Sequence, residues 1–328
     1  MPELSVEKDR KGITMIKIDL ITGFLGSGKT TFIKKYAKYL MAQGQRIAIL
    51  ENDYGAVNVD RMLLQELEGE QCDLEMVIGG DYDCHRRRMK TKLIALGMLG
   101  YDRVIIEPSG IFDVDTFFDI LYEEPLDRWY QAGNVITILD AGLEENLSEQ
   151  SAYLLAAQSA QAGCVIMSHV QEVTESEAKA TVDRLNQSLE AVRCRRRFEI
   201  GQPGLYMKDW AGLSEEDMAQ ITSCGYKDWG YEKRFVDREN DYQTQYLMNS
   251  PLDFDTVVAK AKALMCGESL GKVFRIKGFH QKEDGQWMQI NINHRSETVI
   301  PIREGQKILI VIGECLDQEG IEAEFGCR

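Results

Sequence analysis

The sequence predicts an α/β fold, a parallel sheet flanked by helices, followed by a small α+β domain. Three observations carry that expectation. Over about the first 200 residues short apolar runs alternate with helical periodicity, the pattern of strands joined by crossover helices. A glycine-rich turn, Gly23-Phe24-Leu25-Gly26-Ser27-Gly28-Lys29-Thr30-Thr31, directly follows the first of those runs. Beyond Pro251 the period changes to two: Phe274 and Ile276 alternate with Val273 and Arg275, and Met288, Ile290 and Ile292 with Gln289, Asn291 and Asn293.

The first strand is expected over Ile16–Ile21. The turn after it has Gly23, Gly28, Lys29 and Thr30 at the spacing of a phosphate-binding loop. Glycines at such a turn let backbone N–H groups point inward around phosphate oxygens. A helix starting near Lys29, with apolar Phe32, Ile33, Tyr36, Ala37 and Leu40, adds the positive end of its dipole. Lys29 can reach β- and γ-phosphates, and the Thr30 hydroxyl can hold Mg²⁺. With Gly26, Ser27 and Thr31 completing the loop, the segment implies a site for a nucleoside triphosphate, the fold of a P-loop NTPase.

Further strands are expected at Arg46–Leu50, Glu75–Ile78, Arg103–Glu107, Asn134–Leu139 and Cys164–Met167, with helices such as Arg86–Leu99 and Glu175–Leu189 between them. Functional loops of parallel sheets lie at the carboxyl ends of the strands. The phosphate loop, Glu51–Gly55, Gly79–Cys84, Glu107–Gly110 and Ser168–Gln171 all hold that position, so they should converge on one face. Val104-Ile105-Ile106-Glu107 places a carboxylate at a strand end, where it can support Mg²⁺ or its water, and the Gly110 N–H can approach the γ-phosphate. Glu51-Asn52-Asp53-Tyr54-Gly55, leading on to Asp60, reads as a nucleotide-sensing switch, a set of metal ligands or a plainly solvated acidic loop.

From about 202 to 250 the pattern weakens into aromatics (Trp210, Trp229, Tyr231) among charges, read as a connector between a nucleotide-binding domain at 1–201 and a second domain at 251–328. That second domain is expected to hold a helix at Asp255–Cys266, the alternating strands, a strand at Lys307–Ile312 and a last helix at Asp317–Phe325.

Composition narrows the partners. A net charge of −15 over 328 residues argues against nucleic acid and anionic membrane, and favours a cationic partner such as a metal ion or a basic protein surface. The opening MPELSVEKDRKG lacks the apolar core of a signal peptide, and runs such as Ile308–Ile312 are far short of a membrane span. Eight cysteines without a CxxC pair suit the reducing cytoplasm. The basic triplets Arg86–Arg88 and Arg195–Arg197 read as solvated faces, and Cys164 as core. No role is assigned to His280 or His294.

The ordered motifs resemble those of the CobW-like P-loop GTPases, relatives of the nickel-insertion GTPases of hydrogenase and urease. The likeness spans the phosphate loop, Glu51–Gly55, Glu107-Pro108-Ser109-Gly110 and, in the second domain, Gly271–Gly278 and Leu309–Gly313. It implies GTP hydrolysis with Mg²⁺ and delivery of Zn²⁺, Co²⁺ or another divalent metal, or a cobalamin-related cofactor, to a client metalloprotein. It also leaves room for a nucleotide-dependent homodimer.

Two departures bear on that implication. The family's Cys-x-Cys-Cys metal motif is here Asp81-Tyr82-Asp83-Cys84, followed by His85. Two hard carboxylates thus replace soft thiolates, and Glu51, Asp81, Asp83 and Cys84 become the candidate transition-metal ligands. The family's Asn-Lys-x-Asp, whose carboxylate reads guanine, is here Ser168-His169-Val170-Gln171. Gln171 accepts only through its carbonyl, and an unpaired buried donor costs about 1–3 kcal/mol. His169 can still stack on a base. Three readings follow. The first is a metal-insertion GTPase, and the second a nucleotide-gated regulatory protein with relaxed base choice, ATP included, and no metal cargo. The third is a phosphate-loop kinase, which would need a lid that no segment supplies.

Overall fold

The computed structural model describes residues 15–24, 26–53, 64–78, 82–110, 112, 114–233, 243–267, 269–294 and 297–327, with the backbone alone described at 52, 53, 78 and 82–85. The chain divides into two compact units, Met1–Arg234 and Phe235–Arg328.

In the first unit the elements run β1 (Ile16–Gly23), α1 (Lys29–Ala42), β2 (Ile47–Asp53), β3 (Cys72–Ile78), α2 (Tyr82–Gly97), β4 (Arg103–Pro108), α3 (Val114–Leu121), β5 (Tyr130–Asp140), α4 (Glu149–Ala160), β6 (Cys164–Ser168), α5 (Glu175–Ala191), β7 (Leu205–Tyr206) and α6 (Glu215–Ile221). The seven strands form one sheet in the order β3-β2-β4-β1-β5-β6-β7, every pairing parallel. β4 and β6 are buried along their whole length, as expected of strands covered on both faces. Phe32, Ile33, Tyr36, Ala37 and Leu40 of α1 pack on Ile21, Ile47, Ile49, Ile105, Ile136 and Ile166, so the helical period read from the sequence is the core face.

Strand ends differ from expectation in one informative way. β2 continues through Glu51, Asn52 and Asp53, residues expected to lie in a loop. The ladder holds them: Glu51 pairs with Glu107, Asn52 with Pro108 and Asp53 with Ile78. Part of the expected connector also packs with this unit. Leu205 and Tyr206 pair with Val165 and Ile166, and Leu213, Met218 and Ile221 join the apolar core. α6 is short and acidic, fixed by a reciprocal Ser214–Asp217 capping box, and so carries little apolar periodicity.

A buried polar cluster ties α1 to the sheet. Asp19 accepts from Arg103 Nη1 at 2.5 Å, from the Tyr36 hydroxyl at 2.7 Å and from the Asn134 backbone N–H at 2.7 Å. Asn134 Nδ2 donates to the Tyr36 oxygen and to the Thr222 carbonyl. Burial, then the Asp19 charge, pushes the Tyr36 phenol well above its ordinary range. One basic triplet needs correction: Arg196 is buried, donating to the Ser159 and Ala160 carbonyls at 2.9 and 3.0 Å and so closing α4. Cys164 is core, as expected.

The second unit runs β8 (Gln243–Met248), α7 (Phe254–Cys266), β9 (Lys272–Gln281), β10 (Trp287–Asn293), β11 (Glu297–Ile302), β12 (Ile308–Glu314) and α8 (Gln318–Phe325). Its antiparallel sheet has the order β11-β10-β9-β12-β8. Val257, Ala261 and Leu264 of α7, with Ile321 and Phe325 of α8, pack on Val273, Ile276, Ile290, Leu309 and Val311. β8 and β11, the two edges, escaped the sequence reading because Gln243, Gln245 and Pro301 mask their alternation. No helix among the described residues is long and apolar enough to cross a membrane.

Candidate phosphate site

β1 lies between β4 and β5, and the phosphate loop leaves its carboxyl end. Gly23 has φ +146°, and a Cβ there would stand 2.3 Å from the Ile138 carbonyl oxygen and 2.8 Å from Ser27 Oγ. Gly26 and Gly28 also take positive φ, at +80° and +90°. Leu25 lies outside the described residues. Gly28 is the N-cap of α1; no side chain caps it and no acidic residue of the helix's own first turn sits at its positive end.

Lys29 folds back over the loop, its ammonium donating to the Gly23 and Phe24 carbonyls at 3.0 and 3.3 Å. The Thr30 hydroxyl donates to Glu107 Oε1 at 2.6 Å. Thr31, on the same turn, is exposed. Register brings Glu51 directly beside Glu107 across β2 and β4, and both are buried. Residues paired in register share a sheet face. The Thr30 hydroxyl and the Glu107 carboxylate therefore bring two hard oxygens together, a donor set that fits Mg²⁺, with Glu51 on the same sheet face beside them. Gly110 is buried beyond β4, and its carbonyl accepts from Gln158 Nε2 of α4 at 2.8 Å.

At the end of β6, Ser168 pairs in register with Asp140 of β5. His169 takes φ +53°, with Nδ1 3.1 Å from Asp140 Oδ2 and 3.4 Å from Ser168 Oγ. Asp140 Oδ1 accepts from the Gly142 N–H at 2.8 Å. Gln171 sits exposed on a short turn.

Two residues of this face were not legible as site residues in the sequence. Asp140, at the end of β5, holds His169. Trp210, from the loop after β7, donates from Nε1 to the Met167 carbonyl at 2.9 Å. A Cβ built on Gly28 would lie 3.1 Å from the Trp210 ring and 3.8 Å from Ser168 Cβ, so loop, indole and β6 end converge. No spacing rule marks Trp210; its only signal was an aromatic in a polar stretch.

Of the candidate transition-metal ligands, Glu51 is placed as above. Asp81 lies outside the described residues, as do Tyr54–Asp60 of the expected switch, and the side chains of Asp83, Cys84 and His85 are likewise not described. Among the described residues no group of three His, Cys, Asp or Glu could hold a metal ion.

Comparison with known proteins points to a family for the chain. Residues 17–198 match the family described as CobW/HypB/UreG, nucleotide-binding domain. The zinc chaperone YjiA of Escherichia coli (strain K12) is 31% identical over 137 residues, covering 38% of this chain and 41% of YjiA. The zinc chaperone YeiR of the same organism is 34% identical over 143 residues, 42% of this chain and 41% of YeiR. The chain thus spans about two-fifths of the length of these curated relatives. Zinc-regulated GTPase metalloprotein activator 1 of Schizosaccharomyces pombe is 21% identical over 309 residues, 83% of this chain and 74% of that protein. Among solved structures, Zn(II)-bound YjiA GTPase from E. coli aligns over 96% of this chain and 100% of its own, with 21% identity and a TM-score of 0.38.

Proposed function

Because the chain belongs to the CobW/HypB/UreG nucleotide-binding family, we propose that it is a Mg²⁺-dependent nucleoside triphosphatase hydrolysing GTP to GDP and phosphate. The observation that carries this reading is the joint placement of Lys29, Thr30 and Glu107 around an uncapped helix start. In the proposed cycle Lys29 exchanges the Gly23 and Phe24 carbonyls for phosphate oxygens, and loop N–H groups take the rest. Thr30 and Glu107 are the residues that would hold Mg²⁺, whose charge would offset that of the phosphates. Glu107 orients the attacking water, and Gly110, steadied by Gln158, meets the γ-phosphate.

We assign the cycle to metal delivery, as the names of the zinc-chaperone relatives suggest, with a client metalloprotein as recipient and Glu51, Asp81, Asp83 and Cys84 as the cargo site. A second reading, a nucleotide-gated regulator with open base choice, is favoured by one specific observation: His169 is held by Asp140 and Gln171 points to solvent.

Equilibrium binding of non-hydrolysable GTP and ATP analogues with Mg²⁺, measured side by side, separates them. A GTP preference above about tenfold, or 1.4 kcal/mol, supports the GTPase, and equal binding supports the regulator. Zn²⁺ or Co²⁺ binding that responds to nucleotide and disappears in an Asp81/Asp83/Cys84 triple alanine supports delivery. Lys29→Ala is the control for the site itself, since unchanged turnover in that variant would remove it from the phosphate loop.

A further inference from the structure

We infer that Trp210 is a positioning residue for the nucleotide, an indole strut fixing the phosphate loop against the end of β6. The inference rests on the nucleotide reading of Gly23–Thr31 and goes beyond it by assigning a role to a residue outside every motif.

The indole makes two contacts toward the two halves of the site. Its Nε1 bonds the carbonyl of Met167, the residue immediately before Ser168. Its six-membered ring lies against Gly28, the residue immediately before Lys29, closely enough that a Cβ there would stand 3.1 Å away. The edge of the same ring system meets Phe32 of α1, at 5.4 Å between centroids and 66° between planes. The Trp210 carbonyl accepts from the Lys35 ammonium, also on α1. One residue therefore touches the loop, the helix it starts and the strand that ends at Ser168–Gln171.

The segment carrying Trp210 is itself built to hold still. Asp209 Oδ1 accepts from the Ala211 N–H at 3.1 Å. The Asp217 carboxylate closes the Ser214 capping box and takes both contacts from the Lys208 ammonium, at 2.7 and 2.9 Å. The Lys208 bond, with those from Ser214, holds that carboxyl down to about 2. A phenyl ring at 210 would serve for packing on Phe32. The indole N–H adds a tie to β6 that packing alone does not require, and this directed bond is what sets the gap between the Gly28 turn and Ser168.

The reacting corner, Thr30 on Glu107, has no contact with Trp210 among those described. Loosening the strut should therefore weaken nucleotide binding far more than turnover of bound nucleotide. Trp210→Phe keeps a ring and loses the bond to Met167; Trp210→Ala loses both. We expect Kd for a Mg²⁺-bound GTP analogue to rise about threefold in W210F and about tenfold in W210A, 1.4 kcal/mol in the latter. KM should rise in parallel, with kcat at saturation within about twofold of the parent. In a W129F/W229F/W287F background, where Trp210 is the sole indole, its emission should shift on nucleotide addition.

Parental Kd and KM in W210F and W210A, with a silent Trp210 emission, would overturn the strut while leaving the phosphate site standing. If W210A fails to fold, a parental Kd in W210F alone overturns it. A parent protein that binds neither the GTP nor the ATP analogue would overturn the nucleotide reading and the strut together.

Discussion

The Thr30 hydroxyl donates to Glu107 Oε1 at 2.6 Å across 77 residues of chain, with both side chains buried. The bond locks the first turn of α1 to the end of a strand that begins with Arg103. A carboxylate so placed keeps an acceptor beside the hydroxyl that a Mg²⁺ ion would share.

Glu107→Gln preserves shape and removes that charge. It is expected to raise the Mg²⁺ concentration needed for half-maximal phosphate release by at least about tenfold, since losing even an outer partner of a metal ligand costs about 10–100-fold and Glu107 is assigned to the ion itself. A Mg²⁺ titration of the variant checks this, and an unchanged midpoint would separate Glu107 from the ion.

Gly23→Ala should fail for a steric reason independent of ligand chemistry. Its Cβ would come to 2.3 Å from the Ile138 carbonyl in a backbone region with φ +146°. Strain of about 1–3 kcal/mol is expected. Urea unfolding should report that loss, and nucleotide affinity should fall with it because the loop must open away from β5.

How much of this could be read from sequence depends on how local the cause is. The phosphate loop and α1 were legible because glycine freedom, a strand before and an apolar helical face after are all set within about ten residues. The convergence of loops at strand ends followed from parallel topology. β2 extending through Glu51 was not legible, since only its partners β3 and β4 keep polar residues in the ladder. Trp210 and Asp140 were hidden for a related reason. Each acts through contacts far apart in the chain, Trp210 to Met167, Gly28 and Phe32 and Asp140 to His169, which leave no period behind. Arg196 likewise looked like surface because its partners are backbone carbonyls, which sequence does not label.

Asp19→Asn tests the buried cluster. It leaves the Arg103 guanidinium, 6% exposed, without its carboxylate in a buried setting. Removal of one partner from a buried pair costs about 3–5 kcal/mol. Chemical denaturation of the first unit within the intact chain should show a loss of that order, and a loss under about 1 kcal/mol would mean water reaches the pair.

The second unit should weaken in mild acid. His280 is 1% exposed, its ring 6.3 Å from that of Phe254, and burial holds its pKa below the ordinary 6.5. Lys307 adds to the depression and Asp253 opposes it. The unfolded chain therefore takes up a proton that the folded unit refuses. Stability should fall as pH drops below 6.5, down to the depressed folded value. His280→Gln should flatten that slope in unfolding curves taken from about pH 7.5 to pH 5, and a parent curve already flat would refute the assignment.

Among the described residues the first sheet ends at β3 on one rim and β7 on the other, and the two rims differ in their exposure to stray pairing. β7 offers only Leu205 and Tyr206, too short a template for another strand to zip onto. β3 is seven residues long, but it carries Asp73 and Glu75 at alternate positions, answered from within the chain by Arg46 and Lys92. A second copy docking there would have to set anion against anion and strip those cations away. The rim charges thus protect the chain from self-association by strand addition, and neutralising both carboxylates would be the direct way to make this protein aggregate.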